Sequence, residues 1–232
     1  MDENIRRQSA DIAANFDHVR RRIGEAARSS GRSAGDIEIV LVTKSHPAST
    51  LRAAAHAGLS CFGENYVQEA LVKQDELGEL ADLSWHFIGH LQSNKASLVA
   101  GHFALIQSID SERLARKVGE AASRLELTQS VLVQVHLGDE ESKFGVAPEE
   151  ALGLTDKIAN MPDISLRGLM GIAPAENDPR PHFARLRSLF ERLPVENRQT
   201  LSMGMSGDFE VAIREGATMV RIGTAILGQR GK

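Results

Sequence analysis

The sequence has a single cysteine, Cys61, which excludes an intrachain disulfide and sets the expectation of a reduced, cytoplasmic protein. It has no strong charge of either sign. A formal net charge of −4 gives no reason to invoke a nucleic-acid or membrane partner. No apolar run approaches the ~20 residues of a membrane span. The start, Met1-Asp2-Glu3-Asn4, lacks the apolar core of a signal peptide. A nucleophile elbow, a P-loop and a dinucleotide fingerprint are all missing. The histidines show no metal-ligand spacing. His86 and His90 are four apart but fall on either side of an expected strand–loop break.

What is present is alternation. Ile5, Ile12, Phe16, Val19 and Ile23 recur at helical spacing, and Gly31 supplies a stop, which predicts an opening helix over residues 3–29. The apolar run Ile37–Val42 then predicts a strand. Pro47 suits the first turn of the next helix, and Gly58 ends it. Further strands are expected at 60–63, 85–88, 104–108, 131–137, 165–171, 200–203 and 219–222. Helical stretches lie between them, for example over 111–125, 148–160 and 181–192, and Asn177–Pro181 looks like a loop inside a unit. Short apolar strands separated by helices imply parallel neighbours covered on the outside. An open doubly wound sheet also fits, but eight units in 232 residues favour closure into one (β/α)₈ TIM barrel with an extra N-terminal helix, spanning 1–232 as a single domain.

The working face of such a barrel is the ring of loops at the strand C-termini. Lys44 follows the first strand directly. Partial desolvation there would favour the neutral, nucleophilic amine, while the plainer account is a lysine reaching from a strand end into water. Ser206-Gly207 and Gly223-Thr224 look like helix starts with free backbone N–H groups, placed after strands seven and eight where barrels often hold phosphate. Ordinary N-capping by Ser206 and Thr224, with Asp208 complementing the helix dipole, is the competing account. Arg221 interrupts the apolar run Val220–Ile222 and needs an acceptor, either a ligand between strands one and eight or a barrel carboxylate such as Glu64. His86 is a wall residue or an acid–base group, and Glu140-Glu141 reads as a solvated loop.

Six ordered segments carry a resemblance to a known family. They are Val42–Lys44, Phe62–Glu69, Trp85–Gly89 with Leu91–Lys95, Arg167–Met170, Ser202–Asp208 and Met219–Ile226. Through them the chain resembles the pyridoxal phosphate homeostasis proteins nearly end to end. The resemblance implies a barrel similar to the N-terminal domain of alanine racemase, holding pyridoxal 5′-phosphate (PLP). Lys44 matches the family's Schiff-base lysine and Arg221 the arginine facing the pyridine nitrogen. Ser206, Gly223 and Thr224 match the phosphate contacts, and Asn65 a residue lining the cofactor ring. Ser45-His46 falls where the family varies. The family is linked to PLP balance and amino-acid homeostasis without an established reaction. The expectation is therefore a monomeric cofactor carrier serving apo PLP-dependent enzymes. The alternatives are a PLP-dependent amino-acid racemase and a barrel aldolase using Lys44 without PLP. In alanine racemase a tyrosine from an additional domain of a partner subunit serves the second face of the α-carbon. The chain ends at Lys232, soon after the eighth unit, so racemisation is expected to lack its second base unless Tyr66 or His86 supplies it.

Overall fold

In a computed structural model, residues 3–80, 82–138, 144–174 and 178–229 are described. Glu140, Glu141 and Asn177 lie outside them. Helix α1 (Glu3–Ser29) covers the predicted range, and its Ile12, Val19, Ile23, Ala26 and Ala27 are buried along one face. Eight strand–helix units follow. They are β1 (Glu38–Val42) and α2 (Ala48–His56), β2 (Cys61–Glu64) and α3 (Val67–Glu76), β3 (Ser84–Phe87) and α4 (Ala96–Val99), and β4 (Leu105–Ile109) and α5 (Glu112–Arg124). Then come β5 (Gln129–His136) and α6 (Pro148–Ala159), β6 (Ile164–Ile172) and α7 (Pro179–Phe190), β7 (Thr200–Ser202) and α8 (Phe209–Arg214), and β8 (Met219–Ile222) and α9 (Thr224–Leu227). The strands pair in chain order, all parallel, and β8 closes on β1 through Glu38↔Met219 to Leu41↔Ile222. The closed barrel replaces the open-sheet alternative, and every expected strand is found within about two residues of its position.

Two local expectations shift. Pro47 is the N-cap of α2 rather than a residue of its first turn. Helix α7 starts at Pro179, inside the stretch read as a loop. Asp178 accepts a hydrogen bond from the Arg180 N–H at 3.1 Å, and a proline in the first turn forfeits no helical hydrogen bond.

Strand alternation divides the core. Val40, Leu105, Leu132, Met170 and Met219 meet inside the barrel. Leu41, Phe62 and Ile106 face outward into the larger layer under the helices, which Phe209 of α8 joins from the helix side. Phe62, Phe87, Phe183 and Phe209 are fully buried there, each contributing roughly 1.5–3 kcal/mol. α1 packs on α2, α8 and α9, across the seam where β8 meets β1. Asn15 donates to the Ile226 carbonyl at 3.0 Å, and Arg22 pairs with Glu210. No described helix is long and apolar enough to cross a membrane.

The same alternation carries polar side chains into the barrel. Gln107 lies two residues beyond Leu105, and Arg221 two beyond Met219. With His86 and Ser202 they form a buried polar line through the barrel interior.

Candidate functional site

Strand β1 ends at Val42, and Lys44 follows in a turn at the C-terminal mouth of the barrel, half-buried. The turn is bent by Ser45, whose φ of 62° is left-handed and unfavourable for a residue with a Cβ. Its backbone N–H donates to Glu69 Oε1 at 2.5 Å. On the other side of Lys44, the Thr43 carbonyl accepts from Lys73 Nζ at 2.8 Å, and Lys73 also binds Glu69 Oε1 at 2.6 Å. The backbone on both sides of Lys44 is thus tied to one helix, α3, through Glu69 and Lys73.

Lys73 is itself buried, with 4% of its surface exposed. Its third partner is Glu64 Oε1 at 2.6 Å, which also accepts from Thr43 Oγ1 at 2.6 Å. Glu64 is fully buried, and burial raises its pKa, with Lys73 and Thr43 pulling the other way. Glu64 is therefore not the ion-pair partner of Arg221 that the sequence left open. Neither Lys73 nor Glu69 was singled out from sequence. The available signal was their i, i+4 spacing on the helix behind Lys44.

Arg221 is 3% exposed at the eighth strand. Its guanidinium donates to Ser202 Oγ at 2.7 Å and to the Gly171 carbonyl at 2.9 Å, both neutral acceptors. Burial lowers its pKa to about 10, against which Asp208 acts at longer range, so it stays cationic at neutral pH. Gly204 holds this corner. Its φ is +93°, its carbonyl accepts from the Arg221 N–H at 3.0 Å, and a Cβ there would lie 2.5 Å from Ala212 Cβ.

The loops after β7 and β8 converge, though not as two separate caps. Ser206 lies in a turn before α8, and the residue at the N-cap is Asp208, whose carboxylate folds back onto the Met205 N–H at 2.6 Å. Ser206 Oγ instead accepts from the Gly223 and Ala225 N–H groups, each at 3.3 Å, at the start of α9. The N-cap of α9 is Gly223, so Thr224 is the first helical residue and does not cap; it is exposed. A serine hydroxyl thus sits against two backbone donors of the neighbouring loop, with the Thr224 hydroxyl beside them in sequence. Such a cluster of donors suits an anion.

Asn65 follows β2. Its Oδ1 is buried and has no hydrogen-bond partner, an orphan that a bound group would satisfy. Gly89 lets the chain pass close behind it, since a Cβ there would lie 2.1 Å from the Asn65 carbonyl oxygen. Beside Asn65 a cavity of about 470 Å³ opens at the mouth, bordered also by Tyr66, His90, Lys95 and Gln134. Neither Lys44 nor Arg221 borders it.

His86 lies below this face. Its Nδ1 is 3.1 Å from Gln107 Nε2, its Nε2 is 3.7 Å from Cys61 Sγ, and burial lowers its pKa to about 4. Both ring nitrogens are engaged within the barrel, so the expectation of a wall residue fits better than that of an acid–base group.

Residues 9–231 match the family described as alanine racemase, N-terminal domain. A pyridoxal phosphate homeostasis protein of Pseudomonas aeruginosa is 46% identical over 222 residues, covering 94% of this chain and 96% of that protein. PipY of Synechococcus elongatus, in a structure with PLP bound, superposes with a TM-score of 0.81 at 35% identity, over 94% of this chain and all of that one. An alanine racemase of Clostridium difficile shares the fold at a TM-score of 0.73 and 14% identity, covering 96% of this chain and 58% of that one.

Proposed function

The chain belongs to the alanine racemase N-terminal domain family and, within it, to the pyridoxal phosphate homeostasis proteins, and from that premise we propose that it binds PLP at the barrel mouth and acts as a cofactor carrier. The observation that carries the reading is the convergence of Ser206, Gly223 and Arg221, two loops of anion-suited donors beside a buried cation held by neutral acceptors. The orphaned Asn65 Oδ1 supports it independently. Lys44 supplies the amine for covalent attachment, Ser206, Gly223 and Thr224 take the phosphate, and Asn65 lines the ring. When bound, PLP condenses with amines through its aldehyde and withdraws electrons from the attached carbon through its ring. Arg221, cationic at neutral pH, would meet the ring nitrogen as a hydrogen-bond donor rather than as an acid. Such a partner would leave the ring a weak electron sink, which argues against transamination, although alanine racemases share the arginine.

A racemase also needs a base on each face of the α-carbon. His86 is turned into the barrel interior. Tyr66, the sole tyrosine, is 58% exposed at the rim and lines the flanking cavity, the one observation that favours a racemase as second reading. The carrier is a one-domain monomer whose partners are apo forms of PLP enzymes.

Mixing holo-protein with an apo PLP enzyme tests this. Activity should return faster than the free cofactor released in a protein-only control can account for; recovery limited to that release contradicts a carrier. Under the same account, L-alanine in heavy water exchanges its α-hydrogen with retained configuration, if at all. D-alanine appearing near ~1 s⁻¹ favours the racemase.

A further inference from the structure

At the opposite end of the barrel from Lys44, three side chains of metal-binding type converge. Glu38 begins β1, Cys61 begins β2, and His86 is the third residue of β3. Their ligand atoms all lie within 4.8 Å of one another. Cys61 Sγ and His86 Nε2 are 3.7 Å apart. Bond lengths of about 2.3 Å to sulfur and about 2.0 Å to nitrogen, at the tetrahedral angle, put such atoms about 3.5 Å apart. The pair therefore needs to close by only a few tenths of an ångström to share a tetrahedral ion.

We propose that Glu38, Cys61 and His86 form a binding site for a divalent cation of the zinc type at the N-terminal end of the barrel. The donor set argues for that class. Thiolate with imidazole disfavours calcium and magnesium, which take oxygen ligands, and one sulfur, one nitrogen and one oxygen leave a fourth position for water. Glu38 is exposed, Cys61 half-buried and His86 buried, so the ligands descend from solvent into the barrel and provide an entry path. All three sit on strands of the barrel wall, which fixes their spacing better than loops would. The ring also has an outer partner. His86 Nδ1 faces the Gln107 side-chain amide at 3.1 Å, and a half-turn of that amide presents its oxygen in place of its nitrogen. With the Gln107 oxygen toward the ring, Nδ1 carries the proton and Nε2 is free to bind metal, the usual arrangement for a metal histidine. Ser202 Oγ, which now donates to Gln107 Oε1, can accept from the turned amide instead. No part of this depends on PLP binding at the other end.

The test uses holo-protein stripped of adventitious metal with a chelator and titrated with Co²⁺, then with Zn²⁺ in competition. Difference spectra against the metal-free holo-protein should show intense visible bands of tetrahedral Co²⁺ and a sulfur-to-cobalt charge-transfer band. Both should saturate at one ion per chain and be erased by one equivalent of Zn²⁺. Cys61→Ser should abolish the charge-transfer band and weaken Zn²⁺ by at least the ~100-fold that loss of even an outer-shell partner can cause. Glu38→Gln, at an exposed strand start, should retain the sulfur band but bind less tightly, and serves if Cys61→Ser does not fold. Weak, octahedral Co²⁺ spectra in the parent protein, or unchanged Zn²⁺ affinity in either variant that folds, overturns the proposal.

Discussion

Methionine at Lys73 is expected to destabilise the protein by about 3–5 kcal/mol, the cost of breaking a buried ion pair by removing one partner. Three hydrogen bonds disappear together, to Glu64, Glu69 and the Thr43 carbonyl. The fully buried Glu64 loses its cation. Denaturant unfolding measures the effect. Because replacing both members of a buried pair is often nearly neutral, Glu64→Gln combined with Lys73→Met should recover much of the loss. The pH dependence follows from the Glu64 shift. Its folded pKa is raised by burial above the unfolded value, so the native state holds the extra proton and stability falls as pH rises through that window. Loss of Lys73 raises it further. The deficit of Lys73→Met should therefore be largest near neutral pH and narrow on acidification toward the ordinary glutamate range. A deficit under about 1 kcal/mol, or one that widens in acid, would mean that solvent reaches the pair.

Ser206→Ala with Thr224→Ala is expected to weaken PLP by about 10²–10⁴-fold, while pyridoxal, which lacks the phosphate, loses little. A hydrogen bond to a charged group contributes about 1.5–3 kcal/mol, and each hydroxyl stands to lose one. Ser206 Oγ accepts from the Gly223 and Ala225 N–H groups, so its removal subtracts a donor to the phosphate and also leaves those two N–H groups without their acceptor, a cost that falls on both ligands alike. Equilibrium titration of both ligands separates the outcomes. Equal loss for PLP and pyridoxal would reduce the two hydroxyls to structural roles.

Much of the architecture was legible in the sequence because barrel strands are short apolar runs punctuated by glycine, as Ile37–Val42 and Gly58 illustrate. Strand existence follows from local pattern, and eight repeats in one chain leave closure as the economical way to bury every edge. The candidate residues Lys44, Asn65, Ser206 and Gly223 fall in loops after strands, Thr224 opens α9, and Arg221 lies one residue before the end of β8, all toward the barrel end where strand–helix units put their loops. Side-chain pairing was not legible. Lys73 looks like any solvated helical lysine, because nothing local says that α3 turns that face inward onto Glu64. For Ser206 the competing account was a cap on its own helix, because capping is inferred along the chain, whereas its donors come from the next unit. Glu38, Cys61 and His86 lie 23 and 25 residues apart, with no motif spacing, and only strand register brings them together.

Lys44 connects these findings, since Glu69 and Lys73 fix the backbone around it and the donor loops lie at the same mouth. The most direct test is borohydride reduction of the holo-protein, followed by digestion and mass spectrometry. The pyridoxyl group should appear on the peptide carrying Lys44, and Lys44→Ala should fold normally yet carry no label. Labelling of another lysine with Lys44 unmodified, or a Lys44→Ala protein that still forms the adduct, would contradict the assignment.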